Sequence, residues 1–276
     1  MHKFLALCLF SLILIGNVST AVSGILFYDN CEDEPDKSEW QFQITGNGNS
    51  FSVSSEQFRA GSNSYKYILN PGNSTRVEHA LIKKGLSAFE FNKVYWIGYS
   101  FYLPNGSPYE RGVYGQLHGR PDTPINECDE YRNPLFVITP DPTTGGMKIS
   151  QKAQIDRCSY SPDGRYYDRS TWHQIPNKLL VGEWNDIVMQ FKLSYTTGAF
   201  FIFFLNGALV LDDNEINCYN DQLCPYFKFG IYGSLSQTMT AFYDEFRVGD
   251  SNSFYDEISP KRNISSLNAP LLEVVK

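Results

Sequence analysis

Gln116 and His118 stand two residues apart in "YGQLHG" (114–119), and Lys228 and Tyr232 stand four apart in "YFKFGIY" (226–232). On a strand, alternation points Gln116 and His118 the same way, with Leu117 opposite and the two Cα atoms roughly 7 Å apart. The same rule puts Lys228, Gly230 and Tyr232 on one face, with Phe227, Phe229 and Ile231 on the other. The Lys228 and Tyr232 backbones are then roughly 13 Å apart, a spacing that suits neighbouring units of one bound chain. In "RVEHAL" (76–81), Arg76 and Glu78 share a face, and Val77, His79 and Leu81 share the opposite one. An amide, an imidazole, a phenol and two cations on apolar-backed strands can hold an anionic group and move a proton.

One reaction uses this whole set: β-elimination at a uronic acid. A base removes the proton at C5, which is only weakly acidic while the neighbouring carboxylate stays charged. Gln116 as donor and Arg76 as cation stabilise charge developing on that carboxylate. His118 or Tyr232 takes the proton, and Tyr232 returns one to the departing oxygen. A tyrosine, with an ordinary pKa near 10, needs nearby positive charge to act as a base, and Arg76 and Lys228 are the cations at hand. Glu78 suits a role fixing the Arg76 guanidinium for a carboxylate ligand. His79, among apolar neighbours, fits a core histidine; only a bulge would turn it to the Arg76 side.

The elements that must position these residues are strands. Aromatics make up 15% of the chain, mostly Tyr and Phe, and favour sheet. Strand-like runs cover 64–69, 76–82, 94–104, 113–118, 135–139, 147–153, 184–194, 199–207, 208–211, 226–232 and 239–248. Asn206-Gly207 is a hairpin signal between two of them. No long amphipathic helix appears. The pattern predicts an all-β jelly roll, two antiparallel sheets with a concave face, over residues 24–260. Residues 119–134 and 154–183 read as long irregular stretches, and loops of that length in compact domains are often functional.

Residues 1–23 have the form of a secretory signal: a basic start, an apolar Phe4–Gly16 and small residues before a cut at Gly24. No later segment is apolar enough to span a membrane, so the sequence predicts an exported, soluble monomer. Residues 261–276 lack pattern and read as a loosely held tail. Of six cysteines, Cys8 lies in the signal. In an oxidising compartment Cys218 and Cys224, flanking a short polar loop, are the easiest disulfide, with Cys128–Cys158 as a second and Cys31 left over as a buried thiol. Asn73, Asn105 and Asn263 head glycosylation sequons. The net charge of −7 speaks against a nucleic-acid partner.

Taken in order, "VYWIGYSFYLP", "QLH", "GEWNDIVMQFKLS", "FFLNG", "YFKFGIY" and "FYDEFRVGD" resemble secreted polysaccharide lyases of the heparin lyase I and glucuronan lyase type, from about Ile25 to Pro260. The resemblance implies a jelly roll holding an acidic, uronate-containing polysaccharide and cleaving it within the chain. It implies that Gln116 neutralises the uronate carboxylate, that His118 and Tyr232 do the proton work, and that Lys228 and Arg76 are cleft cations. In the glucuronan-cleaving branch a histidine near the Arg76 strand takes part, and His79 is the nearest match. Relatives often carry a structural calcium away from the catalytic face, for which Asp244 and Glu32 are the candidate ligands. No organic cofactor is implied. Arg120, Arg132 and Arg157 fall in loops that line or flank the cleft or are simply solvated.

Three other readings compete, one of them a purely structural secreted protein with no ligand and no cleft. A non-catalytic, lectin-like jelly roll would share the fold, which alone does not decide function. It has no need of a proton-transfer set. A glycoside hydrolase would need paired carboxylates at fixed separation. The nearest candidate, Glu127 and Asp129 around Cys128, lacks a further acid where Arg132 stands.

Overall fold

The computed structural model describes residues 24–107, 112–119, 133–157, 167–175 and 179–261. The signal over 1–23, Arg120, Glu127, Cys128, Asp129, Arg132, Cys158, Asn263 and the tail beyond Lys261 lie outside the described residues.

Among the described residues the strands are β1 (Ile25–Asp29), β2 (Trp40–Thr45), β3 (Ser50–Ser54), β4 (Ser64–Leu69), β5 (Gly72–Leu81), β6 (Val94–Tyr102), β7 (Gly112–His118), β8 (Pro134–Asp141), β9 (Gly146–Ala153), β10 (Arg169–Ile175), β11 (Trp184–Lys192), β12 (Phe200–Leu205), β13 (Ala208–Asp213), β14 (Tyr226–Leu235) and β15 (Met239–Gly249), with one helical turn, α1 (Tyr255–Ile258). They form an all-β sandwich of the jelly-roll kind. One eight-stranded sheet runs β13-β12-β11-β6-β15-β4-β3, with β1 also on β15; the seven-stranded sheet runs β10-β9-β8-β7-β14-β5-β2. Every pairing within them is antiparallel. At Asn206-Gly207 both residues have positive φ (52° and 85°), the backbone of a two-residue hairpin turn joining β12 to β13.

Alternation decides which residues meet between the sheets. Phe227, Phe229 and Ile231 of β14 and Val77, His79 and Leu81 of β5 point inward and are buried. They pack on Tyr99, Phe101, Tyr243 and Phe246 of the other sheet. Each such large apolar side chain removed from water contributes about 1.5–3 kcal/mol. Facing inward also corrects one expected site residue. His79 is 1% exposed, ringed by Trp40, Phe42, Phe51 and Phe229, and its Nδ1 is hydrogen-bonded to the Tyr67 hydroxyl. Burial pushes its imidazole down to about 3. No bulge turns it outward, so it is a core residue and does not reach the outer face where a polymer would lie.

Strands β1, β2, β3 and β10 have no counterpart among the predicted runs; β10 lies inside the stretch expected to be irregular. The expected Cys218–Cys224 bridge is not formed. The backbone at Cys218 and Asn220 is clamped to Gln154, whereas Cys224 sits beside Glu90, where burial pushes its thiol up to about 12. The short loop thus holds its two ends against different neighbours. Non-reducing peptide mapping is expected to find no 218–224 link, and recovery of the linked peptide would overturn this. Cys31 is a buried thiol, as expected. Asn73 and Asn105 are exposed. No helix among the described residues is long and apolar enough to cross a membrane.

Candidate active site

Strands β5, β14 and β7 are neighbours, and their outer faces carry the chemistry. Register pairs Lys228 with Ala80 on one side and Gln116 on the other, Gly230 with Glu78, and Tyr232 with Arg76 and Val113. Gly230 is the residue that lets this face work. Its φ is +126°, and a Cβ there would lie 2.3 Å from the Val77 carbonyl oxygen. Side chains rarely adopt that backbone. A register shift in the β14–β7 pairing falls at the same place. With no side chain at 230, Glu78 on β5 reaches across β14 to β7, where its Oε1 accepts a hydrogen bond from Gln116 Nε2.

The result is a buried polar network on the outer face. Lys228 Nζ lies 2.9 Å from Glu78 Oε2, with both side chains 1% exposed. Arg76 Nη1 lies 3.7 Å from the same oxygen. Burial lowers the Lys228 pKa, and the Glu78 carboxylate opposes that shift. A buried charge stripped of its partner costs several kcal/mol, so these groups hold one another in place. Lys228 is therefore a floor residue committed to Glu78, where the sequence had pictured an open cleft cation. Gln116 donates one amide hydrogen to Glu78, and its buried Oε1 has no partner among the described residues. Such an orphaned acceptor is costly unless a donor such as a sugar hydroxyl satisfies it, and a carboxylate would accept from the second Nε2 hydrogen instead.

Tyr232 stands at the rim. The Arg76 guanidinium lies over its ring, 4.5 Å from the centroid. On its other side the ring helps line a cleft of about 500 Å³ with Val113, Val137, Thr139, Lys148 and Trp172. His118 shares the Gln116 face and is half-buried beside the Tyr226 ring. Its Nδ1 lies 2.7 Å from the Gly119 carbonyl oxygen, which only accepts, so Nδ1 carries the hydrogen and the neutral ring keeps its lone pair on Nε2. His118 lies five strand positions along β7 from Val113, the register partner of Tyr232, roughly 17 Å of strand. The two groups thus approach Gln116 from opposite ends. Sequence reasoning missed Trp172, whose short strand β10 sits in a stretch too rich in polar residues to show alternation.

Asp244 and Glu32 do not fit a calcium site. Asp244 accepts from the backbone N–H groups of Arg59, Ala60 and Glu245 at 2.6, 3.2 and 2.7 Å. Burial pushes its carboxyl up to about 7 against those donors. Glu32 accepts from Ser62 and Asn63 N–H groups at 2.9 and 3.1 Å. Both carboxylates fasten the 59–63 loop, and among the described residues no three Asp, Glu, His or Cys side chains gather as cation ligands.

A family model described as polysaccharide lyase matches residues 33–247. Comparison with curated proteins yields no match. Among solved structures, the chain is similar to an endo-β-1,4-glucuronan lyase from the fungus Trichoderma reesei, with a TM-score of 0.69 and 16% identity over 87% of this chain and 100% of that one. An alginate lyase from a Chlorella virus gives 0.53 and 14% over 76% and 93%. A cellulose-induced protein gives 0.52 and 13% over 81% and 96%. At these identities the likeness is one of fold.

Proposed function

Since the chain belongs to the polysaccharide lyase family, we propose that it is an exported, endolytic enzyme that cleaves a uronate-containing polysaccharide by β-elimination at the Gln116–Tyr232 face. The observation that carries this reading is the place of Tyr232, which joins the Arg76–Glu78–Gln116–Lys228 network to the cleft. In the reaction, the C5 proton passes to Tyr232 or His118 and the electron pair forms the C4–C5 double bond. The C4–O4 bond breaks, and O4 leaves with a proton returned by the site. Gln116 and Arg76 stabilise the charge that grows on the carboxylate.

Arg76, Lys148 and Lys228 each stand beside a carboxylate, at 3.7, 3.1 and 2.9 Å. Arg76 and Lys228 share the one Glu78 carboxylate, and the single positive charge left over favours a polymer carrying carboxylates alone, such as glucuronan, over a sulfated, heparin-like one. The N-terminal signal pattern and the exposed sequons at Asn73 and Asn105 support export.

The test is a panel of purified polyuronates, glucuronan, alginate and heparin among them, followed by ultraviolet absorbance of the unsaturated product. Glucuronan is expected to give the largest signal. Polymers that bind intact with none cleaved would replace the enzyme with a lectin-like binding module. Gln116→Ala is expected to lower turnover roughly tenfold or more, because its contribution is largest in the transition state. An unchanged rate in that variant would remove Gln116 from the mechanism.

A further inference from the structure

Among the described residues, Trp172 is the one large aromatic of the cleft lining that the proposed chemistry does not use. It is 56% exposed on β10, which lies at the edge of the seven-stranded sheet. Register places it in line with the site: Gln116 pairs with Val137, Val137 with Ser150, and Ser150 with Trp172. Three strand spacings separate Gln116 from Trp172, roughly 14 Å, a span that takes more than one sugar ring to cross. Tyr232 and Trp172 both line the cleft, with Val137, the register partner of Gln116, between them. Val137 and Thr139 of the cleft lining are short side chains. Lys148, the cation of the cleft lining, is spent on Asp141 at 3.1 Å.

Resting on the lyase reading above, we propose that Trp172 is the platform of a distal subsite, where the apolar face of a sugar ring of the same polymer stacks several units away from the bond that is broken. A flat, rigid indole held half in water offers large contact area at little entropic cost. Among the described residues of the cleft lining the one charged side chain, Lys148, is paired with Asp141, so Trp172 grips the ring and does not read the carboxylate. The subsite favours long chains over short ones and helps an enzyme that cuts internally hold its polymer.

The test compares wild type with Trp172→Ala and Trp172→Phe on the cleaved polymer and on a length series of its oligosaccharides. Trp172→Ala is expected to raise KM for polymer roughly tenfold, the scale of a lost aromatic anchor, with kcat kept. The shortest cleavable oligosaccharides should show no change, and Trp172→Phe should fall between. An exposed side chain leaves the fold intact, which an unchanged melting temperature would verify. An unchanged KM for polymer, or an equal rise on the shortest and longest substrates, would overturn the proposal. If wild type yields no unsaturated product from any polyuronate, the lyase reading itself has failed. The subsite is then decided by titrating intact polymer against tryptophan fluorescence: quenching lost in Trp172→Ala upholds it, and quenching equal in both proteins overturns it.

Discussion

Tyr232→Phe is expected to lower turnover on the cleavable polyuronate by roughly a hundredfold or more, with KM little changed. The substitution removes one oxygen and keeps the ring. That ring owes its position to the Arg76 guanidinium stacked 4.5 Å from its centroid, a contact phenylalanine preserves. A loss confined to kcat therefore reports the hydroxyl's part in proton transfer, and circular dichroism with an unchanged melting temperature would exclude a folding defect. Turnover within about threefold of wild type would move the proton work to His118.

The second large effect concerns acid stability. His79 is neutral in the fold down to about pH 3, whereas an imidazole in the unfolded chain takes its proton near pH 6.5. Between those values the unfolded state binds the extra proton. Stability is therefore full above pH 6.5 and is lost as pH falls toward 3, by up to about 5 kcal/mol from this one residue. Urea titrations at several pH values on wild type and His79→Gln would measure it. The variant should be weaker at neutral pH yet show a shallower decline between pH 6.5 and 4.5. Parallel declines in the two proteins would show that His79 does not titrate in this way.

These two residues also mark how far the sequence could be read. Alternation alone sorted Lys228, Gly230 and Tyr232 from Phe227, Phe229 and Ile231, and it put His79 inside with Val77 and Leu81, as the structure does. Only the resemblance drew His79 toward the site, and burial among aromatic rings overrides it. The burial of Lys228 was hidden because it depends on two neighbouring strands, one of them bringing Glu78 across the gap at Gly230. Asp244 and Glu32 read as ligands because acidity is visible in a sequence and the backbone N–H groups of a distant loop are not. Strand β10 escaped notice since an edge strand half in water, "RSTWHQI", carries no apolar period. The Cys218–Cys224 pairing rested on proximity in sequence, while each residue's packing partners lie elsewhere in the chain.

The network beneath Tyr232 has an arithmetic of its own. Arg76 and Lys228 bring two positive charges and Glu78 one negative, so the face holds a net charge of +1 before any sugar arrives. One uronate carboxylate cancels it. A second carboxylate at the same position would meet no counter-charge, so the face selects one acidic group at a time, however many the polymer carries. The unsaturated product keeps that carboxylate and hence its attraction to the site. Release of product becomes a step of the cycle that added salt should hasten, while the same salt weakens capture of the next chain.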